Sequence, residues 1–293
     1  MTDGNFPVAL VADVRAELGE GPVWDARDEA VWWVDIVGRR IFRHHPASGD
    51  TTEWATPFKV SSLAPRAAGG FIGGTERGFA WIDPAAGRYE VFAHPEVDRP
   101  ENRSNDGKLD RQGRFWGGTM HDPKTQASGA LYCVEHDRTV VRHDDQYRIT
   151  NGPAFSLDGR AMYHNDTAAQ ITYVFDLDAA ARPLNRRVHL SWGPGDGHPD
   201  GMTVDAEGCL WIAFWGAWCV RRYAPDGALL ATVRMPAEQP SSCTFGGPAL
   251  DRLYITTARE SLSPQALADQ PQAGGLFVAD VGVSGVPLTP FPG

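Results

Sequence analysis

Apolar residues along this chain come in short runs, each stopped by glycine, proline, aspartate or asparagine. Ala30-Val-Trp-Trp-Val-Asp-Ile36 is a run of strand-favouring residues entered through the turn-rich segment 21–28. Arg40 to His45 alternates, Pro46 to Asp50 turns, and Thr51 to Trp54 alternates again, which predicts a meander of short strands. Helical periodicity is nearly absent: only Pro264 to Gln270 allows a turn or two. The 32 glycines and 22 prolines punctuate the rest too often for long helices.

One phrase recurs. Asp110-x-x-Gly113-x-x-Trp116, Asp205-x-x-Gly208-x-x-Trp211 and Pro248-x-x-Asp251-x-x-Tyr254 share a spacing, and Asp158-Gly159 to Tyr163 is a near match. Asp28 to Trp32 and Gly69 to Ile72 fill two further slots, so the unit returns at intervals of roughly 40 to 50 residues, the period of a four-stranded propeller blade. A second phrase lies between the slots, as in segments 79–87, 171–176, 220–227 and 275–280. Each reads as a third strand passing to a fourth. The expected fold is all-β: residues 1–293 as a single six-bladed β-propeller domain, closed when a terminal strand joins the blade made mostly by the other end. A two-sheet sandwich is the alternative, but it leaves the fixed interval unexplained.

Charge narrows the partners. Thirty-seven acidic against 27 basic residues give a net charge of −10 with no basic cluster, which argues against nucleic acid and against an anionic membrane. The N-terminal segment lacks a basic stretch followed by an apolar run, and no segment is long and apolar enough to span a bilayer, so a soluble, cytoplasmic protein is expected. Cys133, Cys209, Cys219 and Cys243 are widely spaced within strand-like runs and read as reduced, buried thiols rather than disulfides or a zinc site. Oligomeric state leaves no readable signature.

Four polar stretches precede successive strands: Leu18 to Trp24 around Glu20, Arg103 to Lys108 around Asn105, Thr150 to Phe155 around Asn151, and His198 to Met202 around Asp200. They read as loops entering the innermost strands, so their side chains would converge on the central channel from distant sequence positions. Two carboxylates with one or two carboxamides form an oxygen-rich site suited to Ca²⁺, Mg²⁺ or Mn²⁺ and tolerable to Zn²⁺ or Fe²⁺. Each Asn-Gly, Asp-Gly or Glu-Gly pair, taken alone, is equally an ordinary turn. The signal lies in their shared position.

Leu18-Gly-Glu-Gly-Pro-Val-Trp24, Arg103-Ser-Asn-Asp-Gly-Lys108, Gly118-Thr-Met120, Asn151-Gly152 with Ser156-Leu-Asp158, and Pro199-Asp-Gly-Met202 stand in one order across nearly the whole chain. In this the sequence resembles the senescence marker protein-30, gluconolactonase and luciferin-regenerating enzyme family. The resemblance implies one divalent cation at the channel, with Glu20, Asn151 and Asp200 matching its ligands and Arg103 and Asn105 matching positions that hold substrate oxygens. It further implies hydrolysis of a sugar-acid lactone, such as xylono-, arabinono-, galactono- or gluconolactone, to the aldonic acid in oxidative sugar catabolism. The ion would polarise the lactone carbonyl and acidify a water, with Asp200 as the candidate base. Ser104 replaces a bulky apolar residue of relatives, and His121-Asp-Pro-Lys124 occupies a segment where some relatives carry a substrate-contacting glutamate. These departures bear on sugar preference. His121 is a candidate substrate contact, His198 a candidate partner for Asp200, and Asp106 and Lys108 are expected to shape their loop. Trp211 to Trp218 reads mainly as packing between blades. Competing readings are an organophosphate hydrolase on the same scaffold and a non-catalytic metal-binding propeller.

Overall fold

The recurring phrase has a physical cause. In the computed structural model, which describes residues 6–293, Asp110 Oδ1 accepts the N–H groups of Gln112 and Arg114 while Oδ2 accepts the Trp116 indole N–H, all at 2.9 Å. Asp205 does the same for Glu207, Cys209 and Trp211, again at 2.9 Å. One carboxylate thus closes the turn and anchors the first large ring of the next strand. Gly113 and Gly208 complete each turn at φ of 80° and 82°, a region that β-carbon sterics disfavour.

Repetition of this unit gives six antiparallel sheets of four strands. The innermost strands of blades I to V are Gly19–Asp25, Val60–Pro65, Asn102–Leu109, Thr150–Phe155 and His198–Val204, and each is followed in sequence by the other three strands of its blade. Blade VI starts with Pro240–Gly246, continues through Arg252–Thr257 and Leu276–Ala279, and takes its outer strand from the other end of the chain, where Val8–Ala12 pairs antiparallel with Leu276–Ala279. The fold is the expected six-bladed propeller, closed as anticipated. Segments 79–83, 171–177, 219–223 and 276–279 are indeed third strands. The helix Pro264–Asp269 is capped by Ser263, whose hydroxyl accepts the Ala266 N–H at 3.1 Å. Among the described residues no helix is long and apolar enough to cross a membrane.

The core lies between blades. Six clusters of buried apolar side chains correspond to the six blade–blade interfaces around the ring: Val23 and Trp32 meet Val60 and Phe71 between blades I and II, and Trp211 meets Phe245 and Leu253 between V and VI. Trp116 and Trp211, both fully buried, are therefore packing residues. Removing this apolar surface from water is the main force holding neighbouring blades together. All four cysteines are buried and free.

The C-terminal segment crosses one end of the channel. Gly285 bridges to Asp205 of blade V, and Phe291, fully buried, exchanges backbone hydrogen bonds with Pro65 and Ala67 of blade II at 2.9 and 2.8 Å.

Candidate active site

Every innermost strand breaks register with its neighbour at the same height: between Glu20 and Val23, Val60 and Ser62, Ser104 and Gly107, Asn151 and Ala154, Pro199 and Met202, and Pro240 and Ser242. A bulge interrupts the ladder and re-aims side chains. The polar stretches read from sequence as entry loops are therefore corrected: Glu20, Asn105, Asn151 and Asp200 lie within the innermost strands, at or beside bulges. Gly201 is needed for close packing here, since a β-carbon on it would stand 2.0 Å from Ser242 Oγ of the next blade.

All four side chains are buried. Asn105 Nδ2 donates to Asn151 Oδ1 at 3.1 Å and to the Thr150 carbonyl at 2.7 Å, and Asn151 Nδ2 donates to Thr167 Oγ1 at 2.7 Å. The Thr167 hydroxyl in turn donates to the Pro199 carbonyl at 2.7 Å, and Asn165 Nδ2 donates to the Asp200 carbonyl at 2.6 Å. A chain of amides and hydroxyls thus runs from blade III to the backbone beside Asp200. Sequence reasoning missed Thr167 and Asn165, which sit at the outer ends of strand phrases with nothing to separate them from turn residues.

Glu20 and Asp200 face each other electrostatically. Burial, then the charge of Asp200 and then that of Asp106, pushes the Glu20 carboxyl well above its ordinary range. Burial and the Asp106 charge do the same to Asp200, against a hydrogen bond from Glu20. Asp106 is a third carboxylate in this field. Its Oδ1 accepts the Gly107 N–H at 2.7 Å and its Oδ2 accepts the Gly152 N–H of blade IV at 2.9 Å. It therefore ties two blades together and adds negative charge that sequence reading left aside. Burial raises its pKa, partly offset by Lys108 and these two amides. Among the described residues neither Glu20 nor Asp200 pairs with a cationic side chain. Two buried, mutually repelling carboxylates without a cation, with Asn151 on the innermost strand packed against that of Asp200, are the kind of hard oxygen donors that a divalent cation fits.

Arg103 is buried at the side of this cluster. Its Nη1 donates to Asn105 Oδ1 at 2.8 Å and to the Ser104 carbonyl at 2.9 Å, and its Nε donates to Asp122 Oδ1 at 2.5 Å. Lys59 holds the other oxygen of Asp122 at 2.6 Å. Burial alone would raise the Asp122 carboxyl, yet the bonds and charges of Lys59 and Arg103 hold it below its usual value. Asp122 is thus a further site-edge residue that the sequence did not flag. His121 ends the strand paired with Asn102. Its Nε2 lies 3.3 Å from Glu101 Oε2 and its Nδ1 accepts the Thr125 N–H at 3.3 Å. His198 turns its Nδ1 to the Thr167 carbonyl at 3.1 Å, away from the role of orienting the Asp200 carboxylate.

A separate trio, Cys133 on the third strand of blade III, Glu135 just past its end and His143 on the fourth strand, brings three donor atoms within 4.8 Å of one another. Arg114 already holds Glu135 at 3.3 Å, burial pushes the Cys133 thiol up, and the His143 ring lies over Trp116. The guanidinium in that place opposes a bound cation.

With this geometry in view, comparison with known proteins is informative. A family model described as an SMP-30/gluconolactonase/LRE-like region matches residues 18–259. Regucalcin from Danio rerio is 39% identical over 295 residues, covering 99% of each chain. A 6-deoxy-6-sulfogluconolactonase from Pseudomonas putida is 35% identical over 292 residues, covering 99% of this chain and 100% of that one. Among solved structures, a calcium-binding regucalcin from Agrobacterium tumefaciens superposes with a TM-score of 0.93 at 32% identity over 98% of each chain.

Proposed function

We propose, since the chain belongs to the SMP-30/gluconolactonase/LRE-like family, that it is a cytoplasmic, metal-dependent hydrolase of a sugar-acid lactone. The observation that carries this reading is the pair of buried carboxylates, Glu20 and Asp200, left without a cationic partner beside the Asn105–Asn151 amide pair. Glu20, Asn151 and Asp200 hold the cation, whose identity among Ca²⁺, Zn²⁺, Mn²⁺, Mg²⁺ and Fe²⁺ the oxygen donors do not select. When bound, the cation supplies electrophilic polarisation of the lactone carbonyl and a more acidic water.

The chain's own residues do the rest. Asp200, held beside the position of the attacking water, accepts its proton. Arg103 and Asn105, already locked to each other at 2.8 Å, present a guanidinium N–H face to the sugar ring oxygens and so fix the ring with little loss of side-chain freedom. His121, buried beside them, is a further substrate contact.

The test is pH-stat hydrolysis of D-xylono-, L-arabinono-, D-galactono- and D-gluconolactone and of 6-deoxy-6-sulfogluconolactone. Metal-stripped protein is reloaded with one ion at a time, and Asp200→Ala serves as the control for spontaneous opening. Turnover far above that control, and only with metal, is the expected result. A protein that binds the ion and opens none of these lactones sinks the proposal.

A further inference from the structure

The innermost strands carry the candidate ligands in their first halves. Their second halves line a different space, a cavity of about 370 Å³ closed on one side by the C-terminal segment. Its walls come from the strand ends, among them Leu109, Phe155, Met202, Val204 and Phe245, and Val286 and Leu288 of the C-terminal segment supply its floor. A volume above roughly 300 Å³ with mostly apolar walls and few polar groups is the usual form of a small-molecule site.

The polar groups on its wall are unequal. Asp25 is bound to Arg27 at 2.5 Å and Asp110 to Arg114 at 2.7 Å, so those carboxylates are neutralised by structural partners. Lys108 and Arg111 are not. Lys108 lines the cavity close enough to the carboxylate cluster for its charge to be felt by Glu20 and Asp106, but no carboxylate forms a salt bridge with it among the described residues. Among the described residues Arg111 has no salt bridge and donates only a long bond, 3.4 Å, to the Ser156 carbonyl, and burial pushes its pKa down. With a divalent cation above, the carboxylates are compensated and both basic groups are left to the cavity.

We propose that this chamber is a second ligand site, separate from the lactone-binding face, and that it takes a small amphipathic monocarboxylate. The carboxylate sits at the Lys108 ammonium with Arg111 beside it, and the hydrocarbon part lies along Phe155, Phe245 and the Leu288 side of the C-terminal segment. Access is over that segment, where Leu288 is 42% exposed.

The experiment is calorimetric titration of the full chain, loaded with calcium, with octanoate and, as the uncharged counterpart, octanol. Octanoate is expected to saturate one site at least tenfold more tightly than octanol. Lys108→Met removes that preference, leaving the two equal. Leu288→Glu, a change on the exposed floor far from Glu20 and Asp200, weakens octanoate at least tenfold by setting a carboxylate against the bound chain. Octanoate binding no tighter than octanol overturns the assignment of a carboxylate. Octanoate binding unaffected by Leu288→Glu places the ligand at the other end of the channel and overturns the chamber. No saturable octanoate binding to the folded protein overturns the site itself, and lactone hydrolysis by the same preparation would be untouched by any of these results.

Discussion

His164 is fully buried against the edge of Tyr147, ring centroids 4.7 Å apart, with neither ring nitrogen hydrogen-bonded. Burial, helped by the charge of Arg186, pushes its pKa down to about 3. The unfolded chain takes up a proton near the ordinary value of 6.5, and the native state refuses it, so this site costs stability increasingly as pH falls from about 6.5 toward 3. The loss is on the order of 5 kcal/mol at its full extent. His164→Leu is expected to move the acid-unfolding midpoint, followed by circular dichroism, to lower pH while changing stability at neutral pH by about 1 kcal/mol; an unmoved midpoint would refute the assignment. Asp200→Asn tests the base role at the same scale. Turnover should fall about 10²–10⁴-fold while calorimetry still detects the ion, and full turnover with metal retained would remove Asp200 from proton transfer. Single residues were unevenly legible. Glu20, Asn105, Asn151 and Asp200 stood out because carboxylates and amides repeat beside glycines. Asp106, Asp122 and Thr167 did not, because their importance comes from neighbours on other blades, at sequence separations that no local pattern encodes.

At the level of the strand and its turn, the aspartate of the recurring phrase is the organising group. Asp205 is fully buried and holds two backbone N–H groups, the Trp211 indole and Arg222 Nε at 2.8 Å. Asp205→Ala is expected to cost about 3–5 kcal/mol, since it leaves two backbone N–H groups, the Trp211 indole N–H and Arg222 Nε without their buried acceptor, although Glu207 still holds Arg222 Nη2 at 2.6 Å. Asp178 caps the Ala180 and Arg182 N–H groups in an exposed turn, and Asp178→Ala should cost about 0.5–1.5 kcal/mol. Urea midpoints of the two variants check the contrast, and equal losses would mean that the buried ring and guanidinium contribute nothing beyond the turn. The phrase was readable because one carboxylate reaches residues at fixed offsets, which writes a spacing into the sequence. Bulges were not. Glu-Gly-Pro and Asn-Asp-Gly carry the residues of a tight turn, and only pairing with the neighbouring strand shows that the chain stays extended through them.

Across the whole molecule, stability rests on six interfaces of similar make, and the ring is only as complete as its last joint. Val8–Ala12 supplies that joint by pairing with Leu276–Ala279, and apolar residues of blades VI and I, including Leu276, Trp24 and Trp33, pack around it. Deleting residues 1–12 leaves a bare strand edge on blade VI and uncovers part of that packing. Scanning calorimetry is expected to show a melting temperature lowered by roughly 10 °C or more, with higher-order species on gel filtration. A sharp transition at the full-length temperature would show that the other five joints suffice. The six-blade count was legible in the chain because the repeat interval is fixed by four strands and their turns. Closure was anticipated on topological grounds, yet nothing in the composition of Val8–Ala12 marks it as the strand that completes the circle.

That joint also sets the order of events during synthesis. Blade I leaves the ribosome before the others and can form its own sheet, but Leu276–Ala279 and Phe291 are made only after all the strands of blades I to V. Until they emerge, the nascent chain is an open arc with an unpaired edge at each end and an uncovered channel. Such edges are where growing chains associate wrongly. Emergence of Leu276–Ala279, rather than completion of any earlier blade, is therefore the moment at which this chain can close its ring.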